Sequence, residues 1–234
     1  MPKQSPELLA AIKKVAESSF NKAVESYFSP RHLAARMDRV DKDVQAEIYK
    51  CLGSISGGDP YGLLFSGAVG NGKTSILCLL FKYFIDEAKR HFYKKIAPDI
   101  IAVVGEYFYT GPNEVFSVKN SDYIRFVTHA GLVEVLRSEK SETGASLEHH
   151  YLFQTKIILL DDLGRGYDDK SGWNISLLEE FFDYRWRTNK LTFITTNFEI
   201  PDMRRWDGWQ RIVDRILDPH WIVPIAVPGT TLRI

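Results

Sequence analysis

The sequence predicts an α/β fold in which a parallel β-sheet is covered by helices on both faces. Three observations lead to this prediction. From residue 60 onward, short apolar runs typical of buried strands alternate with segments of helical periodicity. A glycine-rich loop joins the first strand to the helix that follows it, and a later apolar strand ends in Asp161 and Asp162. Strands that alternate with helices favour parallel pairing, because each connection must cross over the sheet.

The composition is typical of a folded protein of a reducing compartment. Hydrophobic residues make up 44% of the 234 residues, and charged residues make up 26%. The 30 basic and 30 acidic residues balance, which argues against a strongly basic nucleic-acid-binding protein but permits a local basic patch. The two cysteines, Cys51 and Cys78, exclude a disulfide framework and a cysteine-rich zinc site. Since no apolar run approaches the ~20 residues that span a membrane, and the N-terminus has no secretory signal, we expect a cytoplasmic protein.

The first part of the chain is predicted to form a helical segment apart from the main domain. Apolar residues spaced three or four apart predict an amphipathic helix over 6–28, and a shorter helix follows over 41–52. The glycine-containing stretch 54–60 predicts a flexible joint. We therefore expect a helical N-terminal segment at 1–58 and an α/β domain at 59–234. The apolar stripe of the segment is suited to binding a partner protein or to packing on the main domain.

The elements of the main domain follow from the periodicity of its apolar residues. Strands are expected at 62–66, 123–128, 156–160 and 191–195, with a hairpin over 100–119. Helices are expected at 74–95, 132–138, 176–187 and 207–217.

The loop at residues 67–74 fits the phosphate-binding pattern G-x-x-x-x-G-K-[ST] in full and lies between a predicted strand and a predicted helix. Its glycines let backbone N–H groups surround phosphate oxygens, and the helix N-terminus adds partial positive charge. Lys73 is suited to contact the β- and γ-phosphates, and the Thr74 hydroxyl is suited to ligate magnesium. The predicted nucleotide-binding residues are Gly67, Ala68, Val69, Gly70, Asn71, Gly72, Lys73, Thr74 and Ser75.

Two later strands are expected to deliver polar groups beside this loop. The apolar run 157–160 ends in Asp161, which suits magnesium, and Asp162, which suits activation of an attacking water. Because side chains alternate along a strand, the two carboxylates are expected to point in different directions. Strand 191–195 leads to Asn197, whose amide could hold that water or the γ-phosphate; a simple turn at the strand end is the alternative.

The sequence Arg211-Ile-Val-Asp-Arg215 allows two interpretations. The first is a basic helix face with local ion pairs, such as Arg211 with Asp214. The second is an arginine that completes the nucleotide site of a neighbouring subunit. The spacing alone does not choose between them.

In this order the motifs resemble those of the AAA+ ATPases of the DnaC/DnaI type and their IstB-like relatives, which are bacterial or phage helicase loaders and transposition helper ATPases. The resemblance covers roughly residues 60–234. It is carried by Gly67–Thr74, Leu-Leu-Asp-Asp-Leu-Gly at 159–164, Phe-Phe-Asp-Tyr-Arg at 181–185, Ile-Thr-Thr-Asn-Phe at 194–198, Arg211–Arg215 and the tail 224–233.

The resemblance implies a role for each matching position. Lys73 and Thr74 correspond to the Walker A pair, and Asp161 and Asp162 to the Walker B acids. Asn197 matches the sensor-1 residue, and Arg215 matches an arginine finger that acts in trans within an oligomer. ATP and Mg²⁺ are the implied cofactors. A P-loop domain of the AAA+/ASCE class without a C-terminal helical lid is the implied fold.

The same resemblance implies a replicative helicase and single-stranded DNA as partners, in a bacterial cell and from a chromosomal or phage gene. An IstB-like helper that binds duplex DNA and a transposase is the main alternative. A P-loop kinase and a non-hydrolysing nucleotide-gated adaptor are further alternatives. The hairpin at 100–119 is longer, and the N-terminal segment shorter, than the family pattern leads one to expect.

Two patches of basic and aromatic residues are candidate DNA contacts. The first lies on and after the helix that follows the phosphate loop, where a core-facing aromatic stripe is the alternative. It comprises Lys82, Lys89, Arg90, His91, Lys94 and Lys95 with Phe81, Tyr83, Phe84, Phe92 and Tyr93. The second contains Trp206 and Trp209, for which we expect packing at a subunit interface.

Overall fold

The protein's structure, a computed structural model, describes residues 14, 17–18, 21–22, 24–95, 123–138, 147–165 and 173–229. Five strands form one parallel sheet in the order β2-β3-β4-β1-β5. They are β1 (Gly62–Ser66), β2 (Ile124–Thr128), β3 (Ile157–Leu163), β4 (Leu191–Thr196) and β5 (Ile222–Ala226). This arrangement confirms the predicted α/β class with a parallel sheet. The predicted hairpin at 100–119 lies outside the described residues.

The four helices predicted after residue 60 are present, with ends that differ by a few residues, and two further helices, over 147–154 and 200–203, were not predicted. The described residues between 14 and 27 are helical. The later helices are α1 (Pro30–Leu33), a 3₁₀ helix (Met37–Arg39), α2 (Lys42–Gly57), α3 (Lys73–Lys95), α4 (His129–Ser138), α5 (Leu147–Gln154), α6 (Trp173–Arg187), α7 (Ile200–Met203) and α8 (Gln210–Ile216).

The stretch 54–57 is helical, so the expected flexible joint was wrong there. Helix α2 begins at an N-cap, Asp41, whose side chain accepts hydrogen bonds from the Asp43 and Val44 backbone N–H groups. The helix continues to Gly57 and stops because Gly58 adopts a left-handed conformation with φ of 88°. The backbone N–H of Gly58 then bonds to the carbonyl of Ser54. Glycine at this place ends a helix instead of loosening the chain.

Apolar side chains cover both faces of the sheet. In β1, Leu63 and Phe65 point to a cluster that contains helix α3, while Leu64 points to a second cluster that contains α4, α6 and α8. Residues Leu159 and Leu160 of β3 divide between the same two clusters. Strands buried on both faces are typical of parallel sheets, and they explain the continuous apolar runs in the sequence.

The described end of the N-terminal segment packs on the main domain. The Phe28 ring lies 5.6 Å from Phe81 of α3 and 4.6 Å from Phe126 of β2, measured between centroids. Val24 and Ile48 belong to the same buried cluster. These contacts match the packing alternative for the amphipathic helix. The division of the chain at residue 58 remains a prediction.

The described aromatic side chains of α3 form part of the core, which agrees with the alternative of a core-facing stripe and not with a DNA contact through these rings. Phe81 and Phe84 are buried, and Tyr83 is half-buried against them. Lys82 donates a hydrogen bond from Nζ to the carbonyl of Leu33 at 2.5 Å. Arg90 pairs with Glu87 on the exposed side of the helix. The side chains of Lys89 and of residues 91–95 lie outside the described part of the chain.

A buried arginine connects helix α6 to the amino-terminal ends of two strands. Arg185 is fully buried, and burial lowers its pKa to about 9. Its guanidinium donates to Thr192 Oγ1 at 2.9 Å, to the Thr155 carbonyl at 2.9 Å and to the Leu191 carbonyl at 2.8 Å. A buried charge is tolerated only when its donors are satisfied. Arg185 therefore fixes how β3 and β4 enter the sheet.

Both cysteines are free and buried, and burial raises the pKa to about 12 for the Cys51 thiol and about 11 for the Cys78 thiol. Thiols of this kind are poorly reactive, since the thiolate is the nucleophile. Among the described residues, no helix is long and apolar enough to cross a membrane.

We predict that His129 makes stability depend on pH. Burial lowers its pKa from 6.5 to about 4, and its Nδ1 has no hydrogen-bond partner among the described atoms. The unfolded chain therefore binds the extra proton between these values, and stability must fall as pH falls. Between about pH 7 and 5 the free energy of unfolding should drop by about 2 kcal/mol more than in His129→Leu protein. Urea denaturation of both proteins measures this, and parallel pH profiles would contradict it.

Candidate nucleotide-binding site

The phosphate loop joins β1 to α3 with a backbone that only glycine adopts easily. Gly67 has φ of 144°, and a Cβ there would lie 2.7 Å from the Val227 carbonyl oxygen. Asn71 Nδ2 donates to that same oxygen at 2.9 Å. The loop is thus anchored to the chain just after β5. Its middle residues are left to face the cavity.

Lys73 begins helix α3 and is buried in the loop. Its Nζ donates to the carbonyls of Gly67 at 2.7 Å and Ala68 at 2.8 Å. Burial lowers the pKa of Lys73, while the charges of Asp162 and Asp161 act in the opposite direction. The ammonium group is therefore held by the loop carbonyls, within electrostatic range of the two carboxylates.

Asp161 lies at the carboxyl end of β3 and connects three elements. Both of its carboxylate oxygens accept from Thr74 Oγ1, at 3.1 and 3.0 Å. Thr195 of β4 donates to Oδ1 at 2.5 Å, and its Oγ1 accepts from the Asp162 backbone N–H at 2.9 Å. Burial raises the pKa of Asp161, and the Thr195 hydrogen bond opposes this. Thr195 was missed from the sequence, although it stands within the Thr-Thr-Asn motif.

Asp162 follows with an unusual backbone. Its φ is 58°, and the pairing of β3 with β4 shifts between Leu160 and Leu163. Bulges of this kind occur beside active sites, where they redirect a side chain. The two acids do have different partners, as expected. The cause is the bulge in β3, and not the regular alternation of side chains along a strand. Asp162 accepts from Asn197 Nδ2 at 2.9 Å and pairs with Arg165 at 3.1 Å.

Most of these groups line one cavity of about 580 Å³, whereas Asp161 is not on its wall and reaches it through Thr74. The predicted residues on its wall are Val69, Gly70, Gly72, Lys73, Thr74, Ser75, Asp162 and Asn197. Of the other predicted loop residues, Gly67 and Ala68 contact Lys73, and Asn71 contacts Val227. Four further residues complete the wall: Arg31, His32, Arg165 and Phe198. Phe198 ends the motif at 194–198 but was given no role, and no motif in the sequence contained the other three.

Arg215 is not among the residues that line this cavity. It lies on α8, where its Nε donates to Asp183 Oδ1 at 3.2 Å and its guanidinium carbon lies 4.2 Å from the Trp186 ring centroid. Local ion pairs are present on this helix, as one interpretation held, but with other partners. Arg211 pairs with Glu179 at 2.9 Å, and Asp214 pairs with Arg204 instead of Arg211.

The two tryptophans of the second patch pack inside the chain. Trp209 is buried, and its ring lies 5.1 Å from that of Trp206. Trp206 in turn lies 4.7 Å from the Phe198 ring and fills the space beside Gly164, where a Cβ would come within 2.9 Å of it. The expected subunit interface was therefore wrong for Trp209. The pair supports the turn that follows Asp162.

The oxygen ligands at the loop fit magnesium. Thr74 and Asp161 offer a hydroxyl and a carboxylate, and Mg²⁺ in such sites takes one or two carboxylates and fills its shell with phosphate oxygens and waters. In the part of the chain that the structure describes, no group of three or more His, Cys, Asp or Glu residues could hold a metal ion. A zinc site of protein ligands is thus not present among those residues.

Comparison with solved structures agrees with this geometry. The structure of the DnaC helicase loader matches with a TM-score of 0.57 at 19% identity, over 86% of this chain and 100% of that chain. DnaI matches with a TM-score of 0.56 at 21% identity, over 88% of this chain and 95% of that chain. This chain has an AAA+ fold of the DnaC/DnaI type.

A third match is DnaA from Aquifex aeolicus with bound AMPPCP, an ATP analogue. Its TM-score is 0.52 at 14% identity, over 80% of this chain but only 47% of that chain. No protein-family model matches the sequence, and no curated protein matches it in sequence. The likeness is therefore one of fold.

We predict that Thr195→Val weakens the fold by about 2 kcal/mol, because it leaves the Asp162 N–H and the Asp161 carboxylate without a shared partner. Thr195→Ser keeps the hydroxyl and should cost about 1 kcal/mol or less. Urea denaturation measures both free energies. A Thr195→Val protein that is as stable as Thr195→Ser or more stable would contradict the role given to the hydroxyl.

Proposed function

We propose that this protein is an ATPase of DNA replication that loads a replicative helicase onto single-stranded DNA as an oligomer. The observation that carries the proposal is the set of contacts among Thr74, Asp161, Asp162 and Asn197 beside the phosphate loop. These contacts bring two pairs of residues to one edge of the sheet. Thr74 and Asp161 suit the binding of magnesium, and Asp162 and Asn197 suit the activation of water. The fold likeness to a helicase loader supplies the biological setting.

In the proposed hydrolysis, some residues of the chain bind the phosphates and others activate the attacking water. Backbone N–H groups of the loop and the Lys73 ammonium bind the phosphates and offset their charge. The Asp162 carboxylate accepts a proton from the attacking water, and the Asn197 amide, 2.9 Å from it, fixes its orientation. Arg165 pairs with the other carboxylate oxygen of Asp162 and restrains it further.

Thr74 and Asp161 would hold magnesium, which would supply positive charge to offset that of the phosphates. Thr195 and Thr74 both donate to Asp161 and favour its ionised form, which opposes the effect of burial on its pKa.

Support for the helicase-loader role comes from the extent of the fold likeness. The match to the DnaC helicase loader covers that whole chain, and a protein described as a primosome component from Streptococcus pyogenes serotype M3 matches over 87% of this chain with a TM-score of 0.53. The transposition helper remains a possible outcome of the first test below.

The oligomer is proposed from the position of Arg215. A side chain that is 40% exposed, outside its own cavity and held by Asp183 and Trp186, is suited to reach the cavity of a neighbouring subunit. Arginine donors of this kind raise hydrolysis by ~10³–10⁵ in related nucleotide hydrolases.

We predict that single-stranded DNA stimulates ATP hydrolysis more than duplex DNA does. The measurement is steady-state hydrolysis at one fixed low salt concentration, with no DNA, single strands or duplex, since phosphate contacts depend on salt. Stimulation by duplex alone would favour the transposition helper, and transfer of phosphate to a metabolite without hydrolysis would favour a kinase.

We also predict that Asp162→Asn protein binds ATP yet hydrolyses it at least ~100-fold more slowly.

We predict that Arg215→Ala subunits regain activity when mixed with Lys73→Ala subunits. Each variant alone should be nearly inactive, but the mixture combines an intact pocket with an intact arginine from its neighbour. Arg211→Ala is the matched control, because Arg211 lies on the same helix and pairs with Glu179; it should hydrolyse ATP like the unaltered protein. A mixture no more active than its components would contradict a contact in trans.

A further inference from the structure

Helix α1 places two basic residues, Arg31 and His32, in the wall of the nucleotide cavity. They come from the N-terminal segment, far from the phosphate loop in sequence. Their position is fixed from two sides. The Leu33 carbonyl accepts from Lys82 of α3 at 2.5 Å, and Phe28 is buried against Phe81. The segment is therefore attached to the helix that carries the phosphate loop.

The surroundings of α1 show which side of the cavity it occupies. Arg31 and His32 line the same cavity as Thr74, Asp162 and Asn197. Thr74 bonds to Asp161, so this wall includes the magnesium side of the loop, where the terminal phosphate of a nucleoside triphosphate must lie. The basic pair therefore shares the cavity with the groups that would surround the part of the ligand that ADP lacks.

The other cations of the cavity already have partners, whereas Arg31 does not. Lys73 donates to two loop carbonyls, and Arg165 pairs with Asp162. His32 Nδ1 lies 3.3 Å from Ser29 Oγ. Within the described ranges Arg31 makes no ion pair and no hydrogen bond through its side chain. It is exposed and its five N–H donors are available to a phosphate.

We propose that Arg31 binds the terminal phosphate of the nucleoside triphosphate from within the same chain, with His32 beside it. The N-terminal segment would then distinguish the triphosphate from the diphosphate. This inference rests on the proposed function, since it assigns a further ligand-binding residue to the same pocket. The planar guanidinium forms paired hydrogen bonds with phosphate oxygens that an amide or a lysine cannot reproduce.

The test compares the binding of fluorescent ATP and ADP analogues, each with Mg²⁺, by anisotropy. Arg31→Gln should weaken the binding of the ATP analogue about 10-fold and that of the ADP analogue less than about 2-fold, because a charge-assisted contact is lost only with the triphosphate. Arg31→Lys should lie between Gln and the unaltered protein. Arg36→Gln is the matched control, since Arg36 is exposed, pairs with Asp38 and is not among the cavity's lining residues.

Lys73→Ala distinguishes the two ways in which this can fail. If Lys73→Ala weakens both analogues while Arg31→Gln changes neither, the Arg31 inference is overturned and the nucleotide site stands. An equal loss of both analogues in Arg31→Gln also overturns it, because the contact is then not with the terminal phosphate. If Lys73→Ala leaves binding intact, the proposed function itself fails. Thermal melting of each variant confirms that it is folded.

Discussion

The Asp161 carboxylate is the contact on which the nucleotide cavity depends. It joins β3, which carries it, to Thr74 at the start of α3 and to Thr195 at the end of β4. Because Thr195 also accepts from the Asp162 N–H, the same hydroxyl sets the position of the second acid. Phosphate loop, acidic pair and Asn197 are thus parts of one hydrogen-bonded unit. Its geometry follows from the strand order, in which β4 lies between β3 and β1.

Local pattern predicted most of this unit, because its parts are short motifs attached to strongly apolar strands. The phosphate-loop motif predicted the strand before it, β1, and the helix after it, α3. The apolar run before Asp161 predicted β3. The role of Thr195 could not be predicted in this way. It depends on the register that pairs Leu160 with Ile194 and on the shift that follows, which are properties of two strands together. The left-handed backbone of Asp162 has the same origin.

The N-terminal segment shows where local pattern misleads. Serine and glycine at 54–58 indicated a joint, yet the first residues complete a helix and Gly58 caps it. The spacing of apolar residues predicted an apolar stripe on the first helix but not the surface that it packs against. The contact of Phe28 with Phe126 shows that this surface is the main domain. Arg31 and His32 belong to no motif, so only the folded chain connects them with the phosphate loop. The role of Arg185 could not be predicted from the sequence either, because its hydrogen-bond acceptors are two backbone carbonyls and a threonine hydroxyl.

The shared cluster formed by Val24, Phe28, Ile48 and the aromatic face of α3 has a consequence for attempts to shorten the protein. A fragment that starts at residue 59 would retain every motif of the phosphate site and still expose the Phe81 and Phe126 side chains to water. Large exposed apolar patches promote aggregation. A fragment that keeps this cluster covered is therefore longer than the motifs suggest and includes Val24 and Phe28.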